Sequence, residues 1–357
     1  MSDLNALKGD AIILSGGLLD SKSAKTAHGL ARGSMRFNIK AIIDNKFAGE
    51  SVKKLIERSA ADIPIVSHVK DFINQGGHAD FCIIGVATKG GILPDEMRKD
   101  VIDALNNKIA IINGLHKFLN DDDEFSAVAA RNGVKIYDVR KPRPKSELAF
   151  WSGDIFKVGT PKIAVIGTDC ALGKRTTAKF IVDKLRENGH AAEMIFTGQT
   201  GWIQGWRYGF ILDSTVNDFV SGELEDAMLR CHREANPDFM LIEGQAALRN
   251  VSGPCGSEFL ISGNVDGVIL QHSPIRKYYH GYDHLGVEIP PLEKEIELVE
   301  AFGKKVIGAT LNTMDVSYEE AKSYRDEYEQ RLGIPVALPM EEGVDGIIPA
   351  IIQLKKL

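Results

Sequence analysis

Cysteine is scarce in this sequence, and its four cysteines lie far apart. Cys82, Cys170, Cys231 and Cys255 form no Cys-x-x-Cys pair, so the sequence predicts neither a zinc site nor a redox dithiol. Disulfides belong mainly to oxidising compartments. We therefore expect reduced thiols in a cytoplasmic protein.

A surplus of basic residues is also missing. The chain has 43 Lys and Arg against 49 Asp and Glu, for a formal net charge of −6, which argues against general binding to nucleic acid or anionic membranes. No apolar run approaches the length of a transmembrane helix, and the apolar run near the N-terminus is too short for a signal peptide. We expect a small-molecule substrate, with no membrane or nucleic-acid partner; a homo-oligomer is left open.

Short apolar runs rich in β-branched residues alternate with amphipathic segments along the whole chain, a pattern typical of parallel sheets with crossover helices. The predicted strands are 11–14, 39–43, 63–66, 81–85, 109–112 and 134–139, then 162–167, 192–197, 239–244, 267–271, 305–312 and 334–339. Between the two series, residues 140–154 contain two prolines and several basic residues, which stop regular structure. We predict an α/β fold with two parallel-sheet domains, residues 1–145 and 146–357.

The stretch GTDCALGKRTT resembles a phosphate-binding loop. In the usual GxxxxGK[ST] pattern, backbone N–H groups surround phosphates, the lysine reaches the outer ones, and the hydroxyl binds Mg²⁺. Here an apolar strand enters the loop, and an amphipathic helix leaves it and ends near Gly189. We predict that phosphates bind at this helix N-terminus, through Gly167, Thr168, Asp169, Cys170, Ala171, Leu172, Gly173, Lys174, Arg175, Thr176 and Thr177.

Two departures from the pattern bear on the ligand. Five residues rather than four separate Gly167 from Gly173, and Arg175 occupies the position of the Mg²⁺-binding hydroxyl. The phosphate site survives these changes, whereas the metal loses its usual ligand, and we predict no metal site. The GTD start resembles that of dethiobiotin synthetase, which suggests an alternative: a ligase or kinase that uses ATP and Mg²⁺, with Thr176 or Thr177 as the metal ligand.

Polar residues at the ends of two other predicted strands are candidate catalytic groups. Glu243 ends the strand in DFMLIEGQ, and acids at such positions in open α/β sheets face the ligand; a solvated or helix-capping carboxylate is the other interpretation. His272 follows the strand GVILQ. It begins a loop with three histidines and two cations whose spacing favours a titratable or substrate-binding role over metal binding.

Three further residues are candidates for binding substrate. Gln199 follows a predicted strand in TGQTGW. Arg207 lies beside two tryptophans in GWIQGWRYGFILD, where the aromatic residues favour ring or carboxylate recognition and core packing equally. Arg276 lies in the loop that begins at His272. Planar guanidinium groups suit carboxylates, so Arg207 and Arg276 are candidates for binding a carboxylate of the substrate.

Seven motifs occur along the chain: KTAHGL, GVATKGG, FWSGD, GTDCALGKRTT, TGQTGW, NDFVSGELE and IEGQ. In this order they resemble a family of two-domain P-loop proteins, long labelled as of unknown function, that includes D-glutamate N-acetyltransferase. The resemblance covers nearly the whole chain. It implies a Rossmann-like parallel-sheet domain at the N-terminus, followed by a P-loop NTPase-like parallel α/β domain.

The same resemblance implies an activity, the transfer of an acetyl group from acetyl-CoA to the amino group of D-glutamate or a related amino acid. Coenzyme A carries a diphosphate and a 3′-phosphate, so a phosphate loop with an added arginine would hold the donor without hydrolysing it. Position and chemistry make Glu243 and His272 the candidates for the base. A non-catalytic nucleotide switch that regulates a partner protein is a further alternative.

Overall fold

The computed structural model describes residues 6–356, which form two compact units, each built on one parallel sheet. The first unit takes the described residues up to Pro142 together with Gln199–Arg207, and the second takes Arg143–Gly198 and the residues from Tyr208 onward. The predicted fold class is therefore confirmed. The segment Gln199–Arg207 differs from our prediction, which placed all of 146–357 in one domain; the boundary at residue 145 stays a prediction.

The first sheet has six strands in the order β3-β2-β1-β4-β5-β6, with every pair parallel. This is the Rossmann strand order. Successive strands are added on one side of β1 up to β3 and on its other side from β4 onward, so the topological switch point lies between β1 and β4. The strands are β1 (Gly9–Leu14), β2 (Phe37–Ile43), β3 (Ile65–Val66), β4 (Phe81–Ile84), β5 (Ala110–Asn113) and β6 (Ile136–Asp138).

The second sheet has seven strands in the order β13-β12-β11-β7-β10-β8-β9, again with parallel pairs. They are β7 (Lys162–Gly167), β8 (Ala192–Phe196), β9 (Tyr208–Gly209), β10 (Phe239–Glu243), β11 (Gly267–His272), β12 (Val306–Leu311) and β13 (Val336–Ala337). Because β7 lies between β10 and β11, the carboxyl ends of these three strands are neighbours. Gly167, Glu243 and His272 therefore lie close together at the carboxyl end of the sheet.

Helices connect the strands. They are α1 (Lys25–Ala31), α2 (Val52–Leu55), α3 (Val69–Asn74), α4 (Asp95–Asn106), α5 (Asp123–Asn132), α6 (Lys174–Glu187), α7 (Gln199–Gln204), α8 (Asn217–Ala235), α9 (Ser257–Leu260), α10 (Leu292–Ala301), α11 (Tyr318–Leu332) and α12 (Ile348–Gln353). Short 3-10 helices lie at Lys22–Ala24, Lys89–Gly91, Leu119–Asp121, Lys145–Glu147, Asp154–Lys157, Leu212–Ser214, Asp283–Leu285, Asp345–Ile347 and Leu354–Lys356. Within residues 6–356, no helix has the length and apolar character needed to cross a membrane.

Local sequence explains where the long helices begin and end. At the start of α11 the Ser317 side chain accepts from the Glu320 backbone, and the Glu320 side chain accepts from the Ser317 backbone, which forms a capping box. The helix ends at Gly333, whose φ of 65° favours glycine. Strands β7, β11 and β12 are buried at every residue, as expected for parallel strands covered by helices on both faces.

Candidate functional site

The predicted phosphate-binding loop connects β7 to α6. At Gly167 an added Cβ would lie 2.8 Å from the Gln271 carbonyl oxygen, so only glycine fits there. Gly173 precedes the helix with a φ of 96°, and no side chain caps the first turn of α6. The first N–H groups of a helix have no partner within it. They carry partial positive charge and are available to an anion.

The Lys174 side chain lies inside this loop rather than in solvent. Its Nζ donates to the carbonyl oxygens of Asp169 at 2.6 Å and Ala246 at 2.8 Å, and the residue is 6% exposed. Ala246 comes shortly after β10. The lysine therefore ties the P-loop to the segment after β10 and keeps its charge beside the start of α6.

Asp169 is the residue on which three loops converge, and it is fully buried. Oδ1 accepts from the Cys170 backbone at 2.6 Å and from Asn250 Nδ2 at 3.1 Å. Oδ2 accepts from Arg276 Nη1 at 3.0 Å and from the His280 backbone at 2.8 Å. Asn250 and His280 were missed at the sequence level because both contacts are remote in sequence. Arg276 was predicted to bind substrate, but here it is an ion-pair partner of the P-loop.

His272 is bonded at both ring nitrogens. Nδ1 lies 2.9 Å from Thr168 Oγ1, and Nε2 lies 3.1 Å from the Tyr328 hydroxyl. Burial lowers the pKa of His272 to about 4, and the charges of Arg331 and Arg276 act in the same direction. The imidazole is therefore neutral at pH 7 and connects the P-loop to α11.

The hydroxyls after Lys174 differ in their surroundings. Thr177 is 2% exposed, and its Oγ1 donates to Gln271 Oε1 at 2.5 Å. That same amide oxygen accepts from Thr310 at 2.7 Å. Thr176 is only partly buried. The Thr177 hydroxyl is thus hydrogen-bonded to a side chain of β11. Arg175 occupies the position at which a Mg²⁺-binding P-loop carries its hydroxyl.

Glu243 lies at the carboxyl end of β10 and is 4% exposed. Its Oε2 accepts from the Thr197 backbone at 3.1 Å, and its backbone oxygen accepts from Thr197 Oγ1 at 2.6 Å. Burial raises the pKa of the Glu243 carboxyl, while the charge of Arg175 opposes that rise. This strand-end acid is held in place, interacts with the start of α6 and titrates above its ordinary range.

Gln199 and Arg207 belong to the first unit rather than to the unit that holds the P-loop. Gln199 is 6% exposed and packs beside Gly114, whereas Arg207 is exposed. Between them, Trp202 is 1% exposed and lies under the Arg36 guanidinium at 4.4 Å. The tryptophan therefore packs in the core of the first unit, which decides between the two interpretations of this aromatic residue.

Two carboxylates on α8 explain why the motifs FWSGD and NDFVSGELE occur together. Glu225 accepts from the backbones of Ser152, at 2.5 Å, and Ile155, at 3.0 Å. Glu223 accepts from the Ala149 backbone at 2.8 Å and pairs with Arg143. The acceptors Glu223 and Glu225 lie in NDFVSGELE, and the donors are Ser152 of FWSGD and the two residues that flank this motif. This pairing has a structural role.

The acid after β2 in the first unit is bonded to its own loops. Asp44 is fully buried; Oδ2 accepts from the Ser15 hydroxyl at 2.8 Å and from the Gly17 and Leu19 backbones at 3.0 and 3.1 Å. Oδ1 accepts from the Lys46 backbone at 3.1 Å. A dinucleotide site would use an acid here for a ribose hydroxyl. In this chain the carboxylate instead shapes the glycine turn after β1.

Models of two protein families match the chain. One, described as a domain of unknown function, the DUF1611 C-terminal P-loop domain, matches residues 149–348. The other, the DUF1611 N-terminal Rossmann-like domain, also of unknown function, matches residues 45–142. A crystal structure of a DUF1611 family protein from Anabaena variabilis superposes with a TM-score of 0.87 at 27% identity, covering 97% of this chain and all of that one.

Two curated relatives carry the name D-glutamate N-acetyltransferase. The protein from Tritonibacter scottomollicae is 32% identical over 282 residues, which make up 75% of this chain and 80% of that protein. The protein from Pseudoalteromonas sp is 28% identical over 273 residues, or 74% and 79% of the two chains. These matches confirm the resemblance found in the motifs: the chain belongs to the DUF1611 family, with a Rossmann-like N-terminal domain and a P-loop C-terminal domain.

Proposed function

We propose that this protein is an N-acetyltransferase that moves an acetyl group from acetyl-CoA to the amino group of D-glutamate or a related amino acid. The name of the two curated relatives supports the reaction. The observation that carries the proposal is the first turn of α6. There Arg175 replaces the Mg²⁺-binding hydroxyl, and Thr177, two residues further on, is bonded to Gln271.

Coenzyme A fits the residues at the start of α6. Its diphosphate and 3′-phosphate need several donors and cations, which the uncapped helix N-terminus, Lys174 and Arg175 supply. When bound, acetyl-CoA supplies the acetyl group as a thioester. The P-loop then binds phosphates without hydrolysing them, as its departure from the usual metal-binding pattern suggests.

Glu243 is our candidate for the base. The amino group must lose a proton before it attacks, and a carboxylate whose pKa is raised by burial is a better proton acceptor than an exposed one. In the balanced reaction the new C–N bond replaces the C–S bond of the thioester. The nitrogen loses two protons in all. Glu243 takes the first before the attack, and the second, lost from the nitrogen after the attack, neutralises the departing thiolate, so that coenzyme A leaves as the thiol.

In this proposal His272 positions the P-loop through its hydrogen bond with Thr168. Both ring nitrogens are bonded, and the low pKa keeps the ring neutral. An imidazole in this state suits positioning of the P-loop better than proton transfer, so of the two predicted base candidates we favour Glu243. We also propose, as the sequence predicts, a cytoplasmic location and a small-molecule substrate.

Calorimetry with acetyl-CoA, CoA, ATP and GTP, each with and without Mg²⁺, tests the proposal. We expect acetyl-CoA and CoA to bind more tightly than the nucleotides, with no need for Mg²⁺. Release of the CoA thiol in the presence of D-glutamate then measures the reaction itself. Tight ATP binding that depends strictly on Mg²⁺, without CoA binding, would instead support the ligase or kinase. Nucleotide binding without turnover of any small molecule would support the switch.

A further inference from the structure

Two loops of the second unit meet at the Asp169 carboxylate. One follows β10 and reaches Oδ1 through Asn250 Nδ2 at 3.1 Å; the other follows β11 and reaches Oδ2 through the His280 backbone at 2.8 Å. The residues immediately before these two are Arg249 and Tyr279. Because the carboxylate holds both loops, Arg249 and Tyr279 lie beside the P-loop.

Both residues carry donors that the protein itself leaves unused. Tyr279 is 2% exposed, and its hydroxyl has no hydrogen-bond partner among residues 6–356. Arg249 donates from Nε to Glu295 Oε1 at 2.8 Å, while its Nη2 is buried without a partner in the described part of the chain. The Arg249 side chain is nevertheless 36% exposed. One edge of the guanidinium is therefore anchored, and the side chain remains open to solvent.

The donor groups, rather than the net charge, suit an anion with two oxygens, because Glu295 already balances the charge of Arg249. Glu295 is 1% exposed, and its carboxylate is already paired with Arg249. Burial raises the pKa of Tyr279, and the charge of Glu295 adds to that rise, so the phenol is a protonated donor at neutral pH. The charge of Arg249 acts on the Tyr279 hydroxyl, and a planar guanidinium and a neutral hydroxyl can each donate to a carboxylate, which accepts hydrogen bonds on both oxygens.

We infer that Arg249 and Tyr279 form the subsite for a carboxylate of the acceptor amino acid, beside the loop that holds the donor. This inference rests on the proposed function. It adds a cation from the P-loop unit to the acceptor site, for which the sequence suggested Arg207 and Arg276. Within the P-loop unit, Arg276 is bonded to Asp169, so Arg249 is the better placed of these two cations.

Steady-state kinetics of the full chain test the subsite. Arg249→Lys keeps the charge but loses the planar fork, and Tyr279→Phe removes a single oxygen. We expect each to raise the KM for D-glutamate about tenfold or more, with the KM for acetyl-CoA within about twofold of wild type. Arg230→Lys, whose arginine pairs with Asp226 on α8, and Tyr278→Phe are matched controls. An unchanged KM for D-glutamate in both subsite variants overturns the inference.

Direct binding separates this inference from the proposed function. Calorimetry with D-glutamate and with glutarate, on wild type and both variants, needs no acetyl transfer. If wild type binds D-glutamate, the variants bind it more weakly and no acetylation occurs, the subsite stands and the proposed reaction is wrong. If wild type acetylates D-glutamate and the variants bind it equally well, only the subsite is wrong. No binding of either dicarboxylate by wild type overturns the subsite. Tyr279→Phe carries the test if Arg249→Lys fails to fold.

Discussion

Arg276 fastens two consecutive residues of the P-loop. Its Nη1 donates to Asp169 Oδ2 at 3.0 Å and to the Cys170 carbonyl oxygen at 2.7 Å. Asp169 is fully buried, and the Arg276 side chain is 20% exposed, so this ion pair is well shielded from solvent. The arginine therefore belongs to the framework of the loop, and its loss should affect the donor site.

Arg276→Lys is expected to raise the KM for acetyl-CoA about tenfold, because the lysine side chain is shorter and its Nζ does not reach the position of Nη1, the one nitrogen that serves both acceptors. The assay is thiol release at saturating D-glutamate. Arg230→Lys is the comparison, since Arg230 is in the same unit and pairs with Asp226 on α8; we expect its donor KM to be unchanged. Equal donor KM values in wild type and Arg276→Lys would show that the ion pair does not shape the donor site.

Lys174→Ala removes the charged group at the centre of the loop and keeps a good helix former at the start of α6. Loss of a charge-assisted contact should cost about 1.5 to 3 kcal/mol of donor binding, roughly tenfold to a hundredfold in Kd. Calorimetry with CoA measures it. Lys179→Ala, in the same helix and paired with Asp183, should bind CoA like wild type. Unchanged CoA affinity in a folded Lys174→Ala protein would mean that the loop is only a turn.

Glu243→Gln keeps the shape of the side chain but removes its basicity. We expect kcat to fall about a hundredfold or more, while CoA affinity changes little. In wild type, kcat should rise with pH through the raised pKa of this carboxyl, because the ionised form is the base. Glu193→Gln, a partly buried acid on β8, is the control. A variant with wild-type kcat would exclude Glu243 as the base.

His272 predicts an acid-sensitive contribution to stability. The unfolded state binds a proton near the ordinary pKa of 6.5, whereas the folded state does so only near 4. The free energy of unfolding therefore falls as the pH drops through this window, by about 2.5 kcal/mol at pH 4.5 for this group. Urea unfolding at several pH values should show a shallower fall for His272→Gln than for wild type. Identical slopes in wild type and His272→Gln would contradict the burial argument.

Much of the second sheet was predictable because its strands are buried on both faces and read as unbroken apolar runs. The predicted strand 162–167 coincides with β7, and the acid predicted at a strand end is Glu243 at the end of β10. The phosphate loop was predictable for a related reason: a glycine pair, a lysine and a following helix are all local in sequence.

The partners of Asp169 and the location of Gln199–Arg207 were not predictable. Asn250 and His280 reach the carboxylate from 81 and 111 residues away, and no local pattern carries that information. The sequence around Trp202 predicts an apolar residue on a helix. That pattern would suit the core of either unit, so it does not specify the unit in which Trp202 packs. Strand β9 has only two residues, too short for any periodicity.

The chain passes between the two units three times, after Pro142, after Gly198 and after Arg207. A fragment that begins at the predicted boundary would contain the P-loop half together with α7. The Trp202 ring of α7 packs against Arg36, which such a fragment would lack. Such a fragment would expose that indole to water and invite aggregation. In evolution, the P-loop half therefore cannot be exchanged as an independent domain. A recombination that replaces this half also replaces α7, which must still pack against the Rossmann-like half of the recipient.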